Sequence, residues 1–393
     1  MIESSQTNKA GSALTYGMVG GGDGAFIGDV HRKAISFDGR AKLASGCFSQ
    51  DPENTLKTGF GLGIGAERLY PGYREMAEEE GKREDKIDFV VIVTPNFTHF
   101  DIAKTFLENH INVVCDKPLT VTSAQAVVLK ELADKNGLFL CVTYTYTGYP
   151  IVKHVRQMIL NNDLGEIRFV NAEYPQDWLS TLLEETGQKQ ASWRSDPERS
   201  GASNCVGDIG SHIENMVAYM TGLKIFRLSA RLDKMVAGRK LDDNASIMVD
   251  YESGARGLYW CSQIAVGNDN GLRIRIFGSK ASIEWAQENP NYVKISHIDK
   301  PTQTLSRGRD TLYPGAEEFS RIPPGHPEGY FEAFANVYKS FISCLAAKKQ
   351  GDDPQPMDLD FPRADQGVSG VRFIEKCVES SNNNCAWVNM EQG

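Results

Sequence analysis

Three side chains in this sequence have types and positions suited to moving protons and charge: Lys117, Asp208 and His212. Asp208 and His212 stand four residues apart in "GDIGSHIENM", a spacing that stacks both on one face of a helix, one turn apart. Imidazole transfers protons near neutral pH, and a carboxylate within reach can fix its tautomer and favour its charged form. Lys117 stands in "CDKPLT", directly after the apolar run "INVV". An ammonium at the end of a buried strand can hydrogen-bond a substrate hydroxyl and stabilise the negative charge that develops as that oxygen loses its proton. The plainer alternative is a solvated turn in which Asp116 and Lys117 face water.

A second signal lies near the start of the chain. The stretch "GMVGGGDGAFIGDVH" carries glycines at 17, 20, 21, 22, 24 and 28. Glycines between a first strand and a helix let the backbone approach a pyrophosphate, which then sits on unpaired N–H groups at the helix start. Read strictly, Gly20, Gly22 and Ala25 match G-x-G-x-x-G/A, and a longer reading uses Gly22, Gly24 and Gly28. Asp23, Phe26 and Ile27 complete the expected cofactor loop. The second strand ends in "GCFSQDPEN", where Ser49 takes the place of the usual ribose-binding acid and no arginine follows to clamp a 2'-phosphate. NAD and NADP therefore both remain open. Thr94, Pro95, Asn96 and His99, in "VTPNFTH", and Asp116 with Lys117 lie at the ends of the next two strands, on the edge where dinucleotides bind.

These residues need a scaffold, and the chain supplies enough for two cores. It has 393 residues, against roughly 100 to 200 per domain. From Leu14 to about Tyr149, short apolar runs ("LTYGMVG", "AKLASGCF", "IDFVVIVTP", "INVVCDKP", "LFLCVTYTY") alternate with amphipathic segments, as in a parallel sheet covered by helices. Ser123 is a candidate cap for the helix of "TSAQAVVLKELADKNG", and Gly137 stands where that helix should end. Beyond Tyr149 the pattern changes to long strands, with alternation such as Arg273-Ile274-Arg275-Ile276-Phe277 that gives one buried and one wet face. Helices return in "GYFEAFANVYKSFISCLAAKK" and "PRADQGVSGVRFIEKCVESS".

Composition limits the partners. A net charge of -9 argues against nucleic acid, which requires a clustered positive surface. No apolar run nears the ~20 residues that span a bilayer. The eight cysteines form no Cys-x-x-Cys pair, and no histidines fall at zinc spacing, so free thiols and no metal are expected. The start, "MIESSQTNKAGSA", reads as a short flexible leader without a secretory core, which makes the cytoplasm the expected location.

The glycine loop, "CDKP" after a strand and "GDIGSH" in a strand-rich second half together resemble the Gfo/Idh/MocA family, the glucose-fructose oxidoreductase and inositol dehydrogenase relatives, across nearly the whole chain. The resemblance implies an α/β protein. A Rossmann NAD(P)-binding domain at 12–149 precedes a substrate-binding and oligomerisation α/β domain at 150–393, with a large, mostly antiparallel open sheet. It implies hydride transfer between the nicotinamide and a ring hydroxyl or carbonyl of a sugar or cyclic polyol, in a homodimer or homotetramer. Lys117 matches the motif lysine, Asp208 the carboxylate and His212 the acid/base. Asp116 replaces the family's usual glutamate, and Tyr146 falls near a position that often carries arginine. Trp178 in "YPQDWL" and Lys189, Trp193 and Arg194 in "KQASWRSDPERSG" precede the catalytic helix, and both segments are expected to line the substrate cleft, although filling the core is the more frequent fate of a tryptophan. Two alternatives keep the same fold: an NAD-dependent glycoside-cleaving enzyme, and a non-catalytic dinucleotide-binding regulator.

Overall fold

The computed structural model describes residues 13–309 and 311–390; the leader and the expected domain start at residue 12 lie outside them. The first half builds β1 (Leu14–Gly20), α1 (Phe26–Ser36), β2 (Ala41–Cys47), α2 (Pro52–Gly61), α3 (Tyr73–Lys82), β3 (Phe89–Val93), α4 (His99–Glu108), β4 (Asn112–Cys115), α5 (Ser123–Asn136) and β5 (Leu140–Val142). Its five strands are all parallel, in the order β2-β1-β3-β4-β5. Val90, Val91 and Ile92 are fully buried because helices cover both faces. The chain leaves β1 toward β2 on one side and reaches β3 on the other, which opens a crevice at the carboxyl ends of β1 and β3. Register aligns Gly20 with Val93, Ile92 with Cys115 and Cys115 with Val142. The glycine loop, Thr94, Asp116 and Thr143 therefore line up along one edge.

The second half contains α6 (Pro150–Leu160), β6 (Ile167–Pro175), α7 (Lys189–Arg194), α8 (Pro197–Ser200), a π turn (Val206–Gly210), α9 (Ser211–Thr221), β7 (Ile225–Asp233), β8 (Asn244–Tyr251), β9 (Arg256–Ser262), β10 (Arg273–Gly278), β11 (Ala281–Ala286), β12 (Tyr292–His297), β13 (Gln303–Ser306), α10 (Pro314–Glu317), α11 (Tyr330–Gln350), α12 (Ala364–Asn382) and β14 (Val388–Asn389). Nine strands form one sheet, antiparallel except where β6 runs parallel to β9. Ile274 and Ile276 face the core while Arg273 and Phe277 face outward, as the alternation predicts. The β6–β9 register pairs Pro175 with Ser262 and so brings the ends of both strands to the same side.

Several expectations change. Helices α2, α3 and α6 are additional to the elements read from the sequence. In α6, Pro150 at the first helical position supplies the fixed φ that a helix start accepts, and Ile151, Val152, Val155 and Met158 make its buried stripe. Thr122, not Ser123, caps α5 by accepting from Gln125 N; the Ser123 hydroxyl instead donates to Glu375 of α12. Gly137 ends α5 in the left-handed conformation, φ 65°, as expected. A boundary at 149/150 does not divide the packing cleanly, because α11 returns to the first core. Phe341 packs edge-on against Phe89 at 5.3 Å, and Tyr338 hydroxyl meets His31 Nδ1 of α1 at 2.6 Å. The eight cysteines are unpaired, seven of them buried. Among the described residues no helix is long and apolar enough to cross a membrane, and no cluster of metal-ligating side chains forms.

Candidate active site

A cleft of about 940 Å³ runs from the glycine loop to the second domain, and Lys117, Asp208 and His212 all line it. Lys117 Nζ donates to Asp208 Oδ1 at 2.8 Å and to the Asp208 backbone carbonyl at 2.6 Å. Asp208 Oδ2 accepts from Gln263 Nε2 at 3.0 Å, and Arg194 Nε lies 3.5 Å from Oδ1. Burial alone would raise the Asp208 pKa; the Lys117 and Arg194 cations overcome this and hold the carboxyl well below its usual range. Asp116 anchors the lysine turn, its Oδ1 accepting from Lys117 N at 3.0 Å and from Thr143 Oγ1 at 2.7 Å. The Lys117–Pro118 peptide is cis.

His212 sits against Tyr146, ring centroids 4.8 Å apart, and Tyr144, at 5.8 Å. Burial, reinforced by the Lys117 charge, pushes its pKa well below the ordinary histidine value against the pull of Asp208. The imidazole is therefore neutral at pH 7, a proton acceptor. Its Nδ1 is buried without a hydrogen-bond partner among the described residues. The expectation that Asp208 fixes the histidine tautomer needs correction, since the Asp208 hydrogen bonds go to Lys117 and Gln263. Asp208 lies in the π turn that leads into α9, where Lys117 from the first domain and Gln263 from the end of β9 take its two carboxylate oxygens.

The phosphate-binding expectation can be tested on the backbone. Gly20, Gly21 and Gly24 have φ of 85°, 72° and 80°, conformations that favour glycine. A Cβ on Gly22 would stand 2.8 Å from the Phe48 carbonyl oxygen, and one on Gly28 would collide with Gly21. Gly28 is thus the helix–strand packing glycine, and Ala25, the last residue of the strict motif, is the N-cap of α1. No side chain caps α1, so its leading N–H groups remain available where Ala25, Phe26 and Ile27 line the cleft. This cradle fits a dinucleotide pyrophosphate. Asp23, Ser49, Thr94, Pro95 and Asn96 also line the cleft, joined by the unexpected Gln50 and Asn54. His99 does not: it is fully buried, with its ring nitrogens 3.0 Å from Pro118 O and 2.8 Å from Thr94 O, tying two strand ends together. Asp51, the acid nearest Ser49, is occupied as the α2 cap.

On the other wall stand Tyr146, Trp193 and Arg194, with the Arg194 guanidinium over the Trp193 ring at 4.3 Å. Trp178 is set back from the cleft, its Nε1 donating to Gln176 Oε1 at 3.0 Å. Lys189 begins α7, and its side chain falls outside the described residues. The stretch "YPQDWL" does line the cleft, through Tyr174 and Gln176 rather than Trp178, whereas sequence reasoning missed Asn270. Tyr146 and Tyr174 hydroxyls meet at 2.6 Å, and Asn270 Oδ1 accepts from Tyr174 at 2.6 Å and from Gln176 Nε2 at 2.8 Å. The polar ending "EYPQ" of an otherwise alternating strand signals Tyr174 and Gln176, while Asn270 sits in the turn-like "GNDNG".

A dinucleotide cradle on one side of a cleft, facing a lysine–carboxylate pair and a neutral histidine, has the parts that an alcohol dehydrogenation needs: a place for the hydride carrier and a base for the proton. The class is that of nicotinamide-dependent oxidoreductases. Residues 14–144 match the model of the oxidoreductase family with an NAD-binding Rossmann fold, and residues 152–284 match the GFO/IDH/MocA C-terminal domain, so the chain belongs to the Gfo/Idh/MocA family. It is an NAD(P)-dependent oxidoreductase. The oxidoreductase YfiI of Bacillus subtilis is 39% identical over 378 residues, 95% of this chain and 96% of the relative. An inositol dehydrogenase homolog from Azotobacter vinelandii, solved with NAD+, superposes with a TM-score of 0.92 at 39% identity, covering 96% of this chain and 97% of its own. The same homolog solved with NADH and myo-inositol gives 0.89 at 38% identity over the same shares.

Proposed function

We propose that this enzyme interconverts a ring hydroxyl and a ring carbonyl on an uncharged cyclic polyol or sugar, with Lys117 and His212 as catalytic residues. The observation that carries this reading is that both line one cleft together with a cluster of uncharged polar side chains. Tyr146, Tyr174, Gln176 and Asn270 offer hydroxyl and amide groups suited to hydroxyls. Lys117 and Arg194 are both engaged by Asp208, and Arg199, which also lines the cleft, lies 3.8 Å from Asp196, so none of the three is a ready counter-ion for a phosphorylated substrate. The inositol dehydrogenase homolog solved with myo-inositol supports the same substrate class.

The glycine cradle, the α1 N-terminus and the residues from Thr94 to Asn96 hold the dinucleotide, which supplies a hydride acceptor for the oxidised carbon. Neutral His212 takes the hydroxyl proton at the ring nitrogen open to the cleft. Lys117 donates to the same oxygen and stabilises its developing charge. Asp208 acts on Lys117: it holds the ammonium in place and keeps it paired between turnovers. We favour NAD, because the end of β2 offers Ser49 and Gln50 without an arginine, and the nearby Lys57 is paired with Asp23 at 2.7 Å. Homo-oligomerisation through the outer face of the nine-stranded sheet is part of the proposal, since that face carries the cross-strand pair Met248 and Leu258 in the open.

Incubation with NAD or NADP and a panel of inositols and hexoses, followed by the absorbance of reduced nicotinamide, tests the reading. Net reduction with at least one polyol is expected, faster with NAD. Glycoside cleavage without net reduction points to elimination chemistry, and dinucleotide binding without any turnover points to a regulator; either outcome overturns the proposal.

A further inference from the structure

Beside the reaction cleft lies a second cavity of about 710 Å³, and Asn270 and Tyr330 line both. The separation is small. Tyr146, the ring against His212, stands 6.3 Å from Tyr330 between centroids, and Asn270 Nδ2 reaches the Tyr146 hydroxyl at 3.5 Å. The second cavity is walled by Tyr149, Tyr292 and the amides of Gln287, Asn289 and Asn291, with Glu288, Arg307 and Glu328 as its charged lining. Aromatic faces and amides are the lining that a hydroxyl-rich ring uses, apolar on its faces and polar at its rim.

Glu328 gives the cavity its chemistry. The residue is 2% exposed. Its Oε1 is saturated, by Arg307 Nη1 at 2.7 Å and by the backbone N–H groups of Arg321 at 2.6 Å and Ile322 at 3.0 Å. Its Oε2 is buried with no partner among the described residues. A carboxylate oxygen can only accept, and an unmade hydrogen bond to a buried charged group is costly, so whatever completes this site must bring a donor.

Resting on the substrate class proposed above, we propose that this cavity is a second subsite, which takes a glycosyl unit attached to the reacting ring and pairs one of its hydroxyls with Glu328 Oε2. The reacting ring occupies the cleft at Lys117 and His212, and the attached ring passes Asn270 and Tyr330 into the cavity. The preferred substrate is then a glycosylated polyol or a disaccharide.

Calorimetric titration of the NADH-loaded protein tests this with two matched pairs, myo-inositol against galactosyl-myo-inositol and methyl β-D-glucopyranoside against cellobiose. One charge-assisted hydrogen bond corresponds to about ten-fold in affinity, so the extended member of at least one pair is expected to bind about ten-fold tighter or more than its single ring. Asn289→Trp, placed in an exposed turn, fills the cavity and should bring that ratio to about one. Extended ligands that bind no tighter than single rings, or a ratio that survives Asn289→Trp, overturn the subsite, as does the absence of binding by every ligand. Oxidation of a single ring without any preference for its glycosylated form sinks the subsite and leaves the proposed reaction standing. A tighter extended ligand that is never oxidised does the reverse.

Discussion

Lys117 carries two bonds to one residue, the side-chain and backbone oxygens of Asp208, and this double hold explains how a long flexible side chain keeps a single position in the cleft. Removing its charge should therefore act on chemistry more than on cofactor affinity. Lys117→Met is expected to lower turnover by about 10²- to 10³-fold while changing the NADH dissociation constant, read by fluorescence titration, only slightly. Asp208 loses its strongest partner in that variant, so a melting curve belongs beside the assay. His212 makes a second prediction. Its pKa is depressed, so it stays a neutral base as the pH falls through the ordinary histidine value of about 6.5. The acid limb of kcat/KM for alcohol oxidation should lie below that value. A limb centred at 6.5 or above would remove His212 as the base.

At the scale of elements, two contacts set the cleft. The Gly21–Gly28 contact seats α1 on β1 and aims its uncapped N-terminus at the cofactor site. Gly28→Ala, which inserts a methyl group there, should shift the helix, lower stability by about 1–3 kcal/mol and weaken NADH binding. Urea unfolding and NADH titration check both effects. Glu214 lies on α9 two residues beyond His212, where its Oε1 accepts from Ser369 Oγ of α12 at 2.7 Å. Burial pushes its carboxyl up to about 7, and the serine bond offsets this only in part. An unfolded chain releases that proton near 4.3, whereas the folded protein retains it until about 7. The stability this provides is complete below the lower value and is lost as pH rises through the upper one. Glu214→Gln should accordingly melt higher than the parent at pH 8, by roughly 1–3 kcal/mol, with the difference shrinking as pH falls to 5.

Over the whole molecule, helices cover one face of the nine-stranded sheet and leave the other open. Met248 and Leu258 are paired across β8 and β9 on that open face, 49% and 42% exposed. Phe169 and Phe277, paired across β6 and β10, are exposed on the same face, and grouped exposed apolar side chains are the kind of surface that other chains cover. Light scattering is expected to give a dimer or tetramer for the parent. A Met248→Lys/Leu258→Glu double variant should yield a smaller species that still binds NADH, because the glycine cradle lies on the parallel sheet and not on that face. A parent that runs as a monomer removes this interface.

The sequence by itself determined the alternation of the first half, the antiparallel character of the second, the identity of the glycine loop and the residue types of the lysine, aspartate and histidine. All of these are written in neighbours a few positions apart, as apolar period, turn residues or motif spacing. Tertiary structure alone decided which glycine packs helix on strand, that Asp208 serves a lysine 91 residues away rather than the histidine four residues along, and that Asn270 joins Tyr174 and Gln176 on one wall of the cleft. It also set Trp178 and His99 back from the cleft and returned α11 to the first core. Local periodicity records which face of an element is buried but not against what. Choosing among distant partners depends on how the sheets close over one another, which is what brings Lys117 and Gln263 to the two carboxylate oxygens of Asp208.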